Sequence, residues 1–499
     1  MFYLTRRTKV VLVACTACAA ILLTYYHTST PAEERVYRNR WSSPSHNERI
    51  KSDVKNVLEA TSTSPPVPTS TALCLGDDCF RGAWAPRQTP YTNIAELRPW
   101  TGCPSPPPAA GARSEKEQAE ADAKRLLDVM NWEWRPENGV LQDFEAEAFV
   151  IRLLRSPGGL IIVGDEMSDQ YFSSLVVRLR RAGILMDLQD SSDIPYIHSY
   201  ILNPDDARAG SLVTKANVSA ARATRPVITL IEDAFLVSLE ELKGIAKRVG
   251  AVPNYQNWVS PLPLAENWPA FVETAAAPHK GEAEALTEDT ILLMNTGSTW
   301  SREFLTLLKP RNRPIDEQGR LTEAYRQMVR IVGKSLQDIA QLSVYYRATT
   351  PGHPNCAARS SPYLNSKTAE AYERDVVGRL TKAVSSSDRE VKLKWDWDLF
   401  AVHNDVWRRA TSRFDSERET WEKDVKSGML HPGPKKGKAK WRYLEVWNQT
   451  LQRPDAHYSP PTDCLNWCSP AIFDQWTTHL NHILQLEGPK PGTSAEKDD

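Results

Sequence analysis

Charge of one sign is what this 499-residue chain lacks most plainly, with 61 Lys and Arg against 62 Asp and Glu and a net charge of −1. With no whole-chain field to draw in phosphate backbones, general nucleic-acid binding is excluded and no nucleic-acid partner is expected. Cysteine is sparse as well, eight residues in all, far too few for a disulfide-built miniprotein. Long apolar runs are missing apart from one, and the mean hydropathy is −0.46, which excludes a polytopic membrane protein. What is present is apolar and aromatic side chain, 41% of the residues, including 16 Trp and 16 Tyr. That is enough for a large core and argues against extensive disorder.

The single apolar run, Val10–Tyr26, follows Arg6, Arg7 and Lys9. Positive charge ahead of such a run predicts an uncleaved signal anchor, with residues 1–9 cytosolic and the C-terminus lumenal. Cleavage near Ala17-Cys18-Ala19 is the competing reading; the apolar character continuing through Ile21, Leu22 and Leu23 argues against it. Residues 27–73 are rich in Ser, Thr and Pro, have no apolar period, and read as a disordered stem. A lumenal domain over 74–488 follows, then a charged, Gly/Pro-containing tail over 489–499 that frays. Six cysteines lie beyond the anchor, enough for three disulfides. Cys464 and Cys468 lack a second closely spaced pair, so no metal site is expected. Asn217-Val218-Ser219 and Asn448-Gln449-Thr450 are glycosylation sequons, expected at the surface.

Leu160–Val163 is a buried-strand pattern that runs into Gly164-Asp165-Glu166, after which Met167–Leu179 has apolar residues at helical spacing. Further strands are predicted at Ile184–Leu188, Tyr196–Leu202, Val227–Ile231, Ile291–Met294 and Leu342–Tyr346. Helices are predicted near Leu239–Val249, Glu317–Ala340, Thr368–Val384 and Ile472–Leu486. This alternation predicts an α/β domain with a mainly parallel central sheet covered on both faces. Pro104–Lys124 and the basic stretch His431–Lys440 read as insertions, the second as a solvated loop. Trp395, Trp397, Trp407, Trp441, Trp447, Trp467 and Trp476 offer rings for sugar stacking, although burial accounts for most of them.

Five ordered blocks carry a resemblance. They are Cys79-Phe80-Arg81-Gly82-Ala83-Trp84 with Trp132-Glu133-Trp134-Arg135-Pro136; Leu160–Asp165; Asn295-Thr296-Gly297 with Trp300; Arg347 to Cys356 with His353; and Arg453-Pro454-Asp455-Ala456-His457 with Asp463 to Cys468 and Asp474-Gln475-Trp476. Together they resemble the trichome-birefringence-like, or PC-esterase, family of polysaccharide O-acetyltransferases, over roughly Cys79 to Leu486. The resemblance implies an SGNH-like three-layer α/β/α domain behind one N-terminal transmembrane helix, in a single-pass type II Golgi membrane protein that acts on polysaccharide. It implies a Ser nucleophile, a His base and an orienting Asp. It also implies Asn295 and the residue at 166 at the oxyanion position, and Arg347, His353, Arg453 and His457 as substrate contacts. Cys79, Cys103, Cys356, Cys464 and Cys468 are the expected disulfide residues, Cys356 pairing with Cys464 or Cys468.

The chain departs from that pattern at two positions. Glu166 stands where the family has the Ser nucleophile, and Asn466, three residues after Asp463, stands where it has the His base. An amide has no useful basicity near neutral pH. A carboxylate held by oxyanion donors is stabilised as an anion rather than activated. The expectation is a catalytically degenerate member that binds a cell-wall-type polysaccharide, with no bound cofactor and no assigned acetyl donor. Two alternatives are an active acetyltransferase or esterase using Glu166 or a relocated pair such as Ser168 with a histidine, and a non-catalytic subunit complexed with an active acetyltransferase.

Overall fold

A computed structural model describes residues 72–97, 114–190, 195–251, 256–308, 317–354, 356–382, 395–431, 437–460 and 463–488. The chain divides into Met1–Thr63 and Ser64–Asp499, and all described residues belong to the second unit. The cytosolic tail, the Val10–Tyr26 anchor, nearly all of the stem, Cys103 and the 489–499 tail therefore lie outside the described residues. Among those residues no helix is long and apolar enough to cross a membrane.

In chain order the main elements are β1 (Gly82–Pro86), α1 (Glu115–Met130), β2 (Trp132–Pro136), α2 (Ala146–Leu154), β3 (Leu160–Gly164), α3 (Glu166–Arg181), β4 (Met186–Asp190), β5 (Ile197–Leu202) and β6 (Ile228–Glu232). They continue with α4 (Leu239–Arg248), β7 (Thr290–Asn295), α5 (Glu317–Leu336), β8 (Leu342–Arg347), α6 (Ser366–Lys382), α7 (Phe400–Lys426), β9 (Lys440–Leu444), β10 (His457–Ser459), β11 (Asp463–Trp467) and α8 (Ala471–Glu487).

Seven strands form one sheet in the order β4-β5-β6-β3-β7-β8-β9. β3 is parallel to β6 and β7, β7 to β8, and β8 to β9, while β5 is antiparallel to both β4 and β6. This is the mainly parallel sheet that the alternating periods predict. β3 is apolar at every position up to Gly164 because both of its faces are covered. Leu160 and Ile162 join an apolar cluster with α2, α3 and α8; Ile161 and Val163 join a second with α4, α5 and α7. Each such side chain contributes about 1.5–3 kcal/mol on burial. From β3 the chain builds β4 to β6 on one side and then returns to build β7 to β9 on the other. β3 is thus the switch point, and the crevice at its C-terminal end is where an open α/β sheet places a ligand.

The remaining blocks pair with one another. β1 and β2 are antiparallel, with Trp84 opposite Trp134, and β10 and β11 join the Arg453–His457 block to the Asp463–Cys468 block. Disulfides link Cys74 to Cys79 and Cys356 to Cys464. Cys468 is also disulfide-bonded. Cys74, Cys79 and His482 come within 4.8 Å of one another. They make no donor set, since both sulfurs are bonded to each other and His482 Nε2 donates to the Cys74 carbonyl at 3.0 Å.

Both expected insertions are described only in part, residues 104–113 and 432–436 lying outside the described residues. Residues from Glu115 onward belong to α1, started by a capping box between Ser114 and Glu117; the mixed charge is this helix's wet face. Residues 431 and 437–439 carry no regular structure, and Lys440, the last residue of the expected loop, opens β9, an edge strand. The long α7 was not anticipated, because its buried side mixes Phe400, Trp407, Ala410 and Phe414 with the polar His403, Asn404, Thr411 and Arg418. Trp407, Trp441, Trp467 and Trp476 are buried, while Trp395, Trp397 and Trp447 are half-buried.

Candidate functional site

Gly164 ends β3 against β7. A Cβ on it would lie 2.1 Å from the Asn295 carbonyl oxygen and 2.5 Å from Ser168 Oγ, so only glycine allows this approach. Asp165 then caps α3: its Oδ1 accepts from the Met167 N–H at 3.2 Å, and its Oδ2 from Ser298 Oγ at 2.7 Å. Burial pushes the Asp165 carboxyl up, and the Ser298 hydroxyl and the Arg347 charge pull it back. Glu166 is therefore the first residue of α3, exposed at the positive end of the helix dipole.

Across the crevice, Asp463 folds its own segment. Its Oδ1 accepts from the N–H groups of Leu465 and Asn466 at 3.0 and 2.9 Å, and its Oδ2 from Asn466 Nδ2 at 3.0 Å. The same Nδ2 reaches Glu166 Oε1 at 3.4 Å. Glu166, Asn466 and Asp463 therefore stand together, carboxylate, amide, carboxylate. Partial burial first, then the charges of Asp463 and Asp165, push the Glu166 carboxyl above its ordinary range, and the Asn466 amide draws it back. An amide can donate to both neighbours but cannot accept a proton from either.

Asn295 is 2% exposed. Its Nδ2 donates to the Arg347 carbonyl at 2.9 Å and its Oδ1 accepts from Arg347 Nη2 at 2.8 Å. It ties the end of β7 to the end of β8, a fixed role that an oxyanion donor would have to share. Arg347, His353, Arg453 and His457, the expected substrate contacts, are each at most 1% exposed. His353 Nε2 lies 3.0 Å from the Leu451 carbonyl oxygen, His353 Nδ1 meets His457 Nε2 at 2.7 Å, and His457 Nδ1 lies 2.9 Å from the Asn466 carbonyl oxygen. Burial pushes both imidazoles down, His457 to about 3. They therefore support the Asn466 segment from beneath. Arg453 is spent on Asp455 and on the Val129 carbonyl. Ser168 is 1% exposed and turned under the β3–α3 turn toward Gly164, away from any attacking position.

Sequence reasoning passed over Ser298, whose hydroxyl holds Asp165, although it is the first variable position of the Asn295–Trp300 block. It also passed over His198, which meets Glu232 at 2.8 Å. That contact joins β5 to β6, and no spacing within either strand announces it. No family model matches the chain, and no curated protein matches it.

Proposed function

We propose that the chain is a lumenal, membrane-anchored polysaccharide-binding protein on the SGNH-like frame of the polysaccharide O-acetyltransferases, with a carboxylate and an amide where acyl transfer needs a hydroxyl and an imidazole. One observation carries this reading. Asn466 Nδ2 lies between Asp463 Oδ2 and Glu166 Oε1 at 3.0 and 3.4 Å, at the mouth of a helix N-terminus on the sheet's switch strand. The positions of a triad are kept while both proton-moving groups are replaced. The convergence of distant blocks supports the frame: Arg453 lies 4.5 Å from the Trp84 ring, and Cys356 is bonded to Cys464. The test is binding without transfer. The full-length chain is expected to be retained on at least one plant- or fungal-type wall polysaccharide and to leave its acetyl content unchanged. Retention on none of them would count against the reading.

Lumenal placement has its own expected result. Asn217 is exposed, with left-handed backbone at the end of a helix. Asn448 is half-buried and its sequon hydroxyl, Thr450, is fully buried and donates to the Val446 carbonyl at 2.7 Å. Deglycosylation is expected to shift the mass of the wild-type chain and of Asn448→Gln equally, and to leave Asn217→Gln unchanged. An unmodified wild-type chain from secretory membranes would contradict the placement.

A further inference from the structure

We propose that a sugar ring of a neutral or amino-bearing polysaccharide docks at the C-terminal edge of the sheet on Tyr196, His198, Glu232 and Asp169, next to Glu166, and that uronate polymers are refused there. This rests on the polysaccharide reading above. β5 runs antiparallel to β6, so the start of β5, the end of β6 and the start of α3 share one edge. Gly164 is in register with Glu232, which sets Glu232 beside the turn leading into Glu166. The His198 and Glu232 side chains are 42% and 34% exposed, so this imidazole is oriented by a carboxylate and still open to water, unlike buried His353 and His457. Asp169, exposed one turn along α3 from Glu166, faces the same pair. Burial and the Glu232 charge push its carboxyl up while His198 draws it back.

Tyr196 completes the patch. Its side chain is 43% exposed and its backbone φ is 69°, a region that bulky side chains rarely adopt. The Glu232 N–H donates to the Tyr196 carbonyl at 2.8 Å, so the residue that holds His198 also fixes Tyr196. Strain of this kind collects where function requires it, and here it keeps an aromatic ring in water. An open aromatic face stacks on the C–H face of a sugar, while carboxylates and an imidazole bind its hydroxyls. Charge narrows the class. Glu166 faces Asp463, and Asp169 faces Glu232, whereas Arg347, the guanidinium that acts on Asp165, is buried. A carboxylated sugar meets like charge there; a neutral or amino sugar does not.

The full-length chain in detergent is titrated calorimetrically with xylohexaose, cellohexaose, a chitosan hexamer and a galacturonan hexamer. At least one of the first three is expected to bind and the galacturonan is not. Tyr196→Ala and His198→Ala are each expected to weaken binding at least tenfold with unchanged thermal unfolding, and Tyr196→Gly, which suits the backbone, to weaken it equally. Undiminished binding by these variants would overturn the subsite and leave the polysaccharide reading standing. Tightest binding by the galacturonan would overturn the charge argument. Binding of none of the four would count against the polysaccharide reading itself, and the subsite would fall with it.

Discussion

The paired change Glu166→Ser with Asn466→His is expected to form a detectable acyl-enzyme with an activated acetyl ester, at a rate about 100-fold or more above either single change, because a positioned general base contributes about 10²–10⁴ in rate. The introduced imidazole would take the serine proton as the hydroxyl attacks the acetyl carbonyl, then return it to the leaving alcohol. Asn466 already has Asp463 on one side and residue 166 on the other, and the chain around it is pinned by the Cys356–Cys464 bond and by His457. Glu166→Ser alone should stay silent, since no group then accepts the proton. Nucleophile and base act as a unit, so the two changes are far from additive. Intact-mass detection of the acylated chain checks this. Equal activity in Glu166→Ser and in the pair would show that the base lies elsewhere.

Arg453→Ala is expected to lower the unfolding free energy by about 3–5 kcal/mol, the usual cost of leaving one partner of a buried ion pair behind. Arg453 and Asp455 are both 1% exposed at the side chain, 3.0 Å apart, and the guanidinium also donates to the Val129 carbonyl at 2.7 Å. The double change Arg453→Met with Asp455→Leu should recover most of the loss, because no charge is then stranded in the core. Denaturant unfolding of the three chains separates a structural arginine from a ligand contact. Unchanged stability in Arg453→Ala together with lost polysaccharide binding would restore the contact role.

The central strands were readable because they are buried on both faces and so apolar without interruption. Leu160–Val163, Ile291–Met294 and Leu342–Tyr346 all lie within observed strands. β9 escaped notice because an edge strand carries charge for solubility, and α7 because its buried side includes His403, Asn404, Thr411 and Arg418. At the site, the turn Gly164-Asp165-Glu166 and its facing segment Asp463–Asn466 were legible as motifs. The fate of the polar residues around them was not. A motif gives residue type and order, but whether Arg347 or His457 points to solvent depends on what packs over it, here Trp476 within 4.5 Å of the Arg347 guanidinium and Trp467 stacked at 4.2 Å on the His457 ring. Tyr196, His198 and Glu232 were invisible for the complementary reason: their relation is made across strands, by register.

The most direct measurement is acetyl transfer by the unmodified full-length chain beside Glu166→Gln, with an acetyl ester donor, a panel of oligosaccharide acceptors and mass detection of both protein and product. No acetyl on Glu166 and no acetylated product from either chain is the predicted result. Transfer by the unmodified chain that vanishes in Glu166→Gln would make Glu166 the catalytic group and contradict the account.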